Sequence, residues 1–198
     1  PIFEESESNV GVIIAKGSIV DGSSNPGTIA GDDFVKIVRK AYNDETVKAL
    51  VLRVDSGGGS AYASEVIADE LEKFRNSGRP IIASMGGVAA SGGYYISCNA
   101  DKIFASNNTI TGSIGVFGMI PYTGRMLENK LGITFDRVST NDHAVMTTNR
   151  KLTNKELKII QVGVDDIYDR FKTIVAEGRG MTKEQVNVVA RGRVWTGR

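Results

Sequence analysis

Short apolar runs alternate, along the first half of the chain, with segments whose apolar residues recur every three or four positions. Residues 10–14 form a β-branched run, which predicts a strand. A helix is predicted next, because Phe34, Val38 and Ala41 share a helical spacing and follow two acidic residues. Residues 49–54 then show the pattern of a buried strand.

A glycine-rich loop at residues 55–60 separates that strand from a second predicted helix, which continues to Asn76. Arg79 and Pro80 end this helix, and residues 81–84 begin another strand. The order of strand, loop, helix and strand predicts a right-handed crossover between parallel strands. The pattern therefore indicates the α/β class.

Two C-terminal helices are predicted from their start signals. Thr153 and Glu156 form a capping box that opens a long helix, which closes at Gly178, and a second box at Thr182 and Gln185 opens a shorter one. The long helix has one apolar stripe, made of Leu157, Ile160, Val164, Ile167, Phe171 and Ile174. Three shorter elements precede it. They are a helix at residues 91–98, a strand at residues 102–105, and a glycine-rich strand or turn at residues 111–118.

Composition narrows the classes of function. The chain has 198 residues, 41% of them hydrophobic, and its 24 Lys plus Arg nearly balance 23 Asp plus Glu. This length predicts one domain over residues 1–198, and the small net charge argues against a nucleic-acid partner. Cys98 and His143 are the only residues of their types, which excludes a disulfide framework and a zinc site with several Cys and His ligands.

The start of the chain and two uncharged stretches bear on location. The chain begins at Pro1, without an initiating methionine or a signal peptide, so we expect it to be a piece of a longer protein. Residues 81–100 and 103–124 lack charge and reach the length of a membrane span. Their glycine, serine and asparagine content suits buried or site-lining backbone better than a lipid-facing helix.

Glycine-rich elements are the candidates for chemistry. Residues 55–60 lack the glycine spacing of dinucleotide-binding loops and the lysine of triphosphate-binding loops. A loop at this position is either a tight turn or a source of backbone N–H groups for an oxyanion or a phosphate. Residues 109–118 are similar in character and equally ambiguous.

Ser91 is the candidate nucleophile. A serine at the start of a helix, with glycine beside it, lets a substrate carbonyl approach both the hydroxyl and a backbone N–H. The segment departs from the G-x-S-x-G motif, because Ala89 stands at the first glycine. Close packing of a helix on a sheet explains the same small residues.

Four motifs occur in order along the chain. They are Arg53-Val54-Asp55-Ser56-x-Gly58-Gly59, Ser84-Met85-Gly86 with Ala89-Ala90-Ser91-Gly92-Gly93-Tyr94-Tyr95, Thr111-Gly112-Ser113-Ile114-Gly115, and Gly192-Arg193-Val194-Trp195-Thr196-Gly197. Together they resemble the signal peptide peptidase A (protease IV) family of serine peptidases over about residues 10–197. The resemblance implies a ClpP/crotonase-like fold built from repeated β-β-α units, a Ser/Lys dyad and no cofactor.

The resemblance also implies roles for individual residues. Ser91 falls at the nucleophile, and the N–H groups of Gly58 and Gly92 fall at the oxyanion hole. Ser113 falls at the serine that orients the lysine amine. Gly57 departs from the family, which usually has proline there and thus a stiffer loop.

The general base is the largest departure from the family. Short members carry the lysine in the stretch that aligns with residues 139–147, where this chain has His143 and no lysine. Long members are two tandem copies, with lysine in the first and serine in the second. The chain thus resembles the C-terminal, catalytic-serine half of a long member, with its lysine supplied by a missing N-terminal half. His143 as the base, beside Asp142, and Lys151 are the alternatives, against an exposed loop histidine.

The implied function is degradation of cleaved signal peptides and other apolar, extended peptides. Such a peptide is expected to add a strand at Gly86 and Gly87. The family further implies a homo-oligomer at the periplasmic face of a bacterial inner membrane, held by an anchor outside this chain. The alternatives are a crotonase-like acyl-CoA enzyme, a phage-type head protease and a non-catalytic assembly domain.

Overall fold

The computed structural model describes residues 9–23 and 25–198. Pro1, where the sequence suggested that a longer protein had been cut, lies outside these residues. The described chain forms two compact units: the residues up to Val116 together with Tyr168–Arg198 make one, and Phe117–Ile167 makes the other. Within the described residues, no helix combines the length and apolar content needed to cross a bilayer.

Strands and helices alternate through most of the described chain. The strands are β1 (Val10–Lys16), β2 (Ser18–Val20), β3 (Thr28–Ala30), β4 (Ala49–Ser56), β5 (Ile81–Ala90), β6 (Lys102–Phe104), β7 (Ile110–Gly112) and β8 (Val194–Thr196). The helices are α1 (Gly31–Asn43), α2 (Ala61–Asn76), α3 (Gly92–Tyr95), α4 (Gly124–Leu131), α5 (Asn154–Arg179) and α6 (Lys183–Val189).

The main sheet has the order β1-β4-β5-β7-β8, and β6 also pairs with β5. Its strands run parallel except for β8, which is antiparallel to β7. β2 and β3 form a separate parallel pair. The α/β class and the crossover from β4 through α2 to β5 are therefore confirmed. Because the carboxyl ends of parallel strands meet at one edge, the segments that follow β4, β5 and β7 converge there.

The main hydrophobic core lies between the sheet and the helices α1 and α2. Leu50, Leu52 and Val54 alternate inward along β4 and are fully buried. Ile67 and Phe74 of α2 belong to the same cluster and are also fully buried. Burial of each large side chain stabilises the fold by roughly 1.5–3 kcal/mol, so this cluster fixes β4, whose end carries the glycine loop.

A second core cluster surrounds the C-terminal part of α5. Phe171 and Ile174 are buried there, and the Phe171 ring lies 4.7 Å from that of Tyr95, centroid to centroid. The predicted stripe on α5 is therefore buried at this end. Within Phe117–Ile167 it is not, because Leu157 and Ile167 are 49% and 41% exposed.

The start of α5 agrees with the sequence prediction. Thr153 N–H donates to a Glu156 carboxylate oxygen at 2.7 Å, and Glu156 N–H donates to Thr153 Oγ1 at 3.2 Å, which completes the capping box. Arg150 adds two hydrogen bonds to the same carboxylate. These bonds hold the pKa of the Glu156 carboxyl well below its usual range, the Arg150 bonds contributing most.

The strand predicted at residues 81–84 is longer in the structure and contains an irregularity. Val54 pairs with Met85, and the next pair along the strands is Ser56 with Ala89. Three residues of β5 therefore lie opposite the single residue Asp55, which forms a β-bulge. The bulge places residues 86–88 inside the strand, directly before the segment that contains Ser91.

Candidate active site

Ser91 occupies a strained turn between β5 and α3. Its backbone angles are φ 52° and ψ −121°, a conformation that side-chain-bearing residues rarely adopt and that is costly unless its surroundings enforce it. Ser91 N–H donates to Gly112 C=O at 2.9 Å, and Ser91 C=O accepts from Tyr95 N–H at 2.9 Å. In proteins with the G-x-S-x-G motif, a strained turn between a strand and a helix exposes the nucleophilic serine. This chain forms a similar turn although Ala89 occupies the position of the first glycine of that motif.

Small residues after Ser91 allow close packing at this turn. A Cβ on Gly92 would lie 2.5 Å from Ser64 Oγ, and a Cβ on Gly93 would overlap Ser56 C=O. The contact at Gly93 is with backbone, so the turn requires glycine there, whereas a side chain at Gly92 would displace the Ser64 hydroxyl. Close packing, one of the two explanations open from the sequence, therefore applies to this segment, and a reactive Ser91 stays a prediction.

The glycine loop after β4 meets the turn directly. Gly58 has φ +94°, and a Cβ there would lie 2.5 Å from Gly92 N and 2.9 Å from Ser91 Cβ. Gly58 C=O accepts from Ile19 N–H at 2.9 Å, which fixes one side of the loop. The structure therefore brings Ser91, Gly92 and Gly58 together, as the resemblance predicted.

The direction of the Gly58 N–H was not predicted. This N–H donates to Ser56 Oγ at 3.1 Å, and Ser56 Oγ in turn donates to Gly17 C=O at 2.6 Å. Ser56 is 1% exposed. The signal in the sequence is its position, because Ser56 continues the inward alternation of Leu52 and Val54, and a hydroxyl buried there needs hydrogen-bond partners.

Ser113 lies one residue beyond the hydrogen-bond partner of Ser91. It also has a positive φ, 50°, and only Arg191 shares this feature among the other described non-glycine residues. Ser113 N–H donates to Arg193 C=O at 2.7 Å. Two of the three non-glycine residues with a positive φ in the described part of the chain are thus predicted site residues, joined through Gly112.

The predicted peptide-binding pair is divided in the structure. Gly86 is buried, and its C=O accepts from Thr109 Oγ1 at 2.8 Å. On the other side of the bulge, Val88 N–H donates to Asp55 Oδ1 at 3.2 Å. Gly87 is exposed and is the member of the pair that a peptide can reach.

His143 and Lys151, the candidate bases within the chain, both belong to the unit Phe117–Ile167. His143 is exposed within Phe117–Ile167, and its backbone N–H donates to Asn141 Oδ1 at 3.0 Å. Among the described residues, no lysine amine and no histidine ring nitrogen is hydrogen-bonded to Ser91 or Ser113. The same unit contains a cavity of about 490 Å³, and none of the predicted site residues lines it.

Cys98 is a structural residue. Its side chain is fully buried, and burial raises the pKa of the thiol to about 12. Because the thiolate is the reactive form, this thiol is a poor nucleophile at neutral pH.

Comparison with known proteins is consistent with this geometry. The sequence profile of peptidase family S49 matches residues 73–198. Protease 4 of Haemophilus influenzae is 45% identical over 188 residues, which is 95% of this chain and 30% of that protein. The putative signal peptide peptidase SppA of Enterococcus faecium is 40% identical, over 83% of this chain and 48% of that protein. The chain thus spans less than half the length of these curated relatives.

A solved structure supports the fold. A mutant form of ClpP1 from Listeria monocytogenes superposes with a TM-score of 0.56 at 13% identity, over 96% of this chain and 83% of that one. The predicted ClpP-like fold is therefore confirmed.

Proposed function

Because the chain belongs to peptidase family S49, we propose that it is the part of a serine peptidase that carries the nucleophile, Ser91. The observation that carries this proposal is the strained Ser91 turn, packed against the backbone of Gly58. Strain of this kind persists only where surrounding structure enforces it, and it is concentrated at functional sites.

In the proposed reaction, Ser91 Oγ attacks the scissile carbonyl carbon while a general base takes the hydroxyl proton. The carbonyl oxygen becomes an oxyanion, which the N–H groups of Gly92 and Gly58 stabilise. The C–N bond then breaks, the leaving amine receives the proton from the base, and an ester forms on Ser91. Water hydrolyses this ester by the same steps and restores the free hydroxyl.

The proposed base is a lysine amine that an N-terminal half of the same protein supplies and Ser113 orients. The length of relatives such as Protease 4, of which this chain covers 30%, supports this proposal. His143 is the competing base, since a neutral imidazole can also accept the serine proton.

The proposed substrates are cleaved signal peptides and other apolar, extended peptides. The name of the Enterococcus faecium relative supports this class. A peptide reaching the site is proposed to use the exposed backbone of Gly87. We further propose homo-oligomerisation and a location at the periplasmic face of a bacterial inner membrane, through an anchor outside this chain.

A serine-reactive fluorophosphonate tests the assignment by intact mass. The 198-residue chain is compared with the same chain joined to its N-terminal half, and Ser91→Ala is the control. We expect an adduct only in the longer protein and none in its Ser91→Ala variant. An adduct on the short chain that disappears in His143→Ala would assign the base to His143, and peptidase activity in Ser91→Ala would refute the nucleophile.

A further inference from the structure

The Gly58 amide, expected to stabilise the oxyanion, faces a different acceptor in this structure. It donates to Ser56 Oγ at 3.1 Å within the buried interior. Gly17 C=O can only accept, so the Ser56 hydroxyl gives its proton to that oxygen at 2.6 Å. The remaining lone pairs of Ser56 Oγ are then available to Gly58, which fixes the direction of both bonds.

We propose that Ser56 is a positioning residue that holds the Gly58 N–H turned inward in the free site. The oxyanion hole is completed when this N–H passes from Ser56 Oγ to the substrate oxygen. The inference rests on the proposed function, because it assigns a change of partner to one of the two proposed oxyanion donors. No covalent bond changes in this step; one hydrogen bond replaces another.

The surroundings confine this movement to one peptide group, the one between Gly57 and Gly58. After it, Gly58 C=O is held by Ile19 N–H at 2.9 Å, and Ser60 N–H donates to Ile19 C=O at 2.8 Å. Before it, Ser56 is buried at the end of β4. Rotation of a single peptide changes ψ of the first residue and φ of the second, and glycine at both positions makes this rotation inexpensive.

Space around the loop also permits the rotation. A Cβ on Gly57 would have no atom within 4 Å, so this residue is open on that side. Gly58 is packed against Ser91 Cβ and Gly92 N, so a small rotation keeps its amide beside the nucleophile. The new acceptor is therefore expected within reach of the same N–H, without movement of the turn itself.

Hydrogen–deuterium exchange of the Gly58 amide, read by mass spectrometry in the full-length protein, tests the proposal. In the free protein, Ser56→Ala should speed this exchange by roughly 2- to 10-fold, the range expected for the loss of one net hydrogen bond. A peptide boronate, whose tetrahedral oxygen imitates the oxyanion, should then bring Gly58 exchange to the same slow rate in wild type and Ser56→Ala, which is the larger change in Ser56→Ala because its free-state exchange is faster. The control is Ser64→Ala, which removes another buried hydroxyl that bonds Ser60 C=O and should leave free-state Gly58 exchange unchanged.

Intact mass of the boronate complex distinguishes failure of the peptidase assignment from failure of the proposed change of partner at Gly58. If Ser91 carries the adduct but Gly58 in Ser56→Ala exchanges as fast as without boronate, the change of partner is refuted and the peptidase assignment stands. If no adduct forms on Ser91, both are refuted. Ser56→Cys, which keeps the size of the side chain but is a weaker acceptor, repeats the test if Ser56→Ala does not fold.

Discussion

Two adjacent glycines, Gly57 and Gly58, offer a matched test of how the site is built. We consider Gly58→Ala, which adds one methyl group to the loop that meets the nucleophile turn. The methyl carbon would lie 2.5 Å from Gly92 N and 3.0 Å from Ala90 C=O. Both neighbours are backbone atoms, so neither can swing aside as a flexible side chain can.

The expected cost has two parts. A non-glycine residue in the left-handed region costs about 1–2 kcal/mol, and Gly58 has φ +94°. Forcing an extra methyl into packed structure adds roughly 1–3 kcal/mol. We therefore expect Gly58→Ala to lower the free energy of unfolding by about 2–5 kcal/mol, a large share of the roughly 5–15 kcal/mol that stabilises a typical domain.

Urea unfolding followed by circular dichroism measures this cost. Gly57→Ala is the control, because Gly57 has no atom within 4 Å of a would-be Cβ and its φ lies outside the left-handed region. We expect it to change stability by less than about 1 kcal/mol, through loss of unfolded-state entropy. Equal unfolding midpoints for the two variants would contradict the close packing of Gly58 against the backbone of Ala90 and Gly92.

Three other predictions concern stability and reactivity. Gly178→Ala should destabilise by about 1–3 kcal/mol in urea unfolding, since its methyl would overlap Cys98 C=O, whereas Gly163→Ala on the same helix meets nothing and should stabilise by about 1 kcal/mol. The thiol of Cys98, with its pKa raised to about 12, should not react with a disulfide reagent at pH ~8 until urea unfolds the protein; rapid reaction of the folded protein would contradict its burial. Burial raises the pKa of Glu70, but hydrogen bonds from Arg39 and a neighbouring lysine outweigh it and hold the pKa below 4.5. The stability that Glu70 contributes is therefore present above pH 4.5 and lost as the pH falls through its lowered pKa, so unfolding midpoints measured against pH should fall less steeply in Glu70→Gln than in wild type.

Periodicity was sufficient for the elements whose pattern is local. The inward alternation of β4 and the capping box at Thr153 both correspond to observed structure. The extent of β5 was missed because glycines inside a strand read as a loop, and the groups that keep residues 86–88 in the strand are distant in sequence. Asp55 accepts a hydrogen bond from the Val88 N–H, and Thr109 donates one to the Gly86 carbonyl. Neither bond can be predicted from the sequence pattern of residues 86–88 alone.

The candidate site shows the same division. Ser91 could be singled out as a candidate from its small neighbours. Its role and its proximity to Gly58 came from the resemblance, since spacing alone does not show which loop meets the turn. The inward direction of the Gly58 N–H was not predictable, because it depends on a single rotation within a glycine pair. The sequence therefore assigned no role to Ser56, and its two hydrogen bonds, to Gly17 and from Gly58, are visible only in the structure.

The antiparallel pairing of β8 with β7 has a consequence for synthesis of the protein. The carbonyl of Arg193, just before β8, holds the Ser113 amide, and Gly192 N–H binds Ile114 C=O. A ribosome makes this segment about eighty residues after Ser113, and domains generally fold as they emerge. The nascent chain thus contains Ser91 long before the partner that secures the neighbouring strand, so we expect the proposed hydrolytic activity to arise only after residues 192–196 have been made.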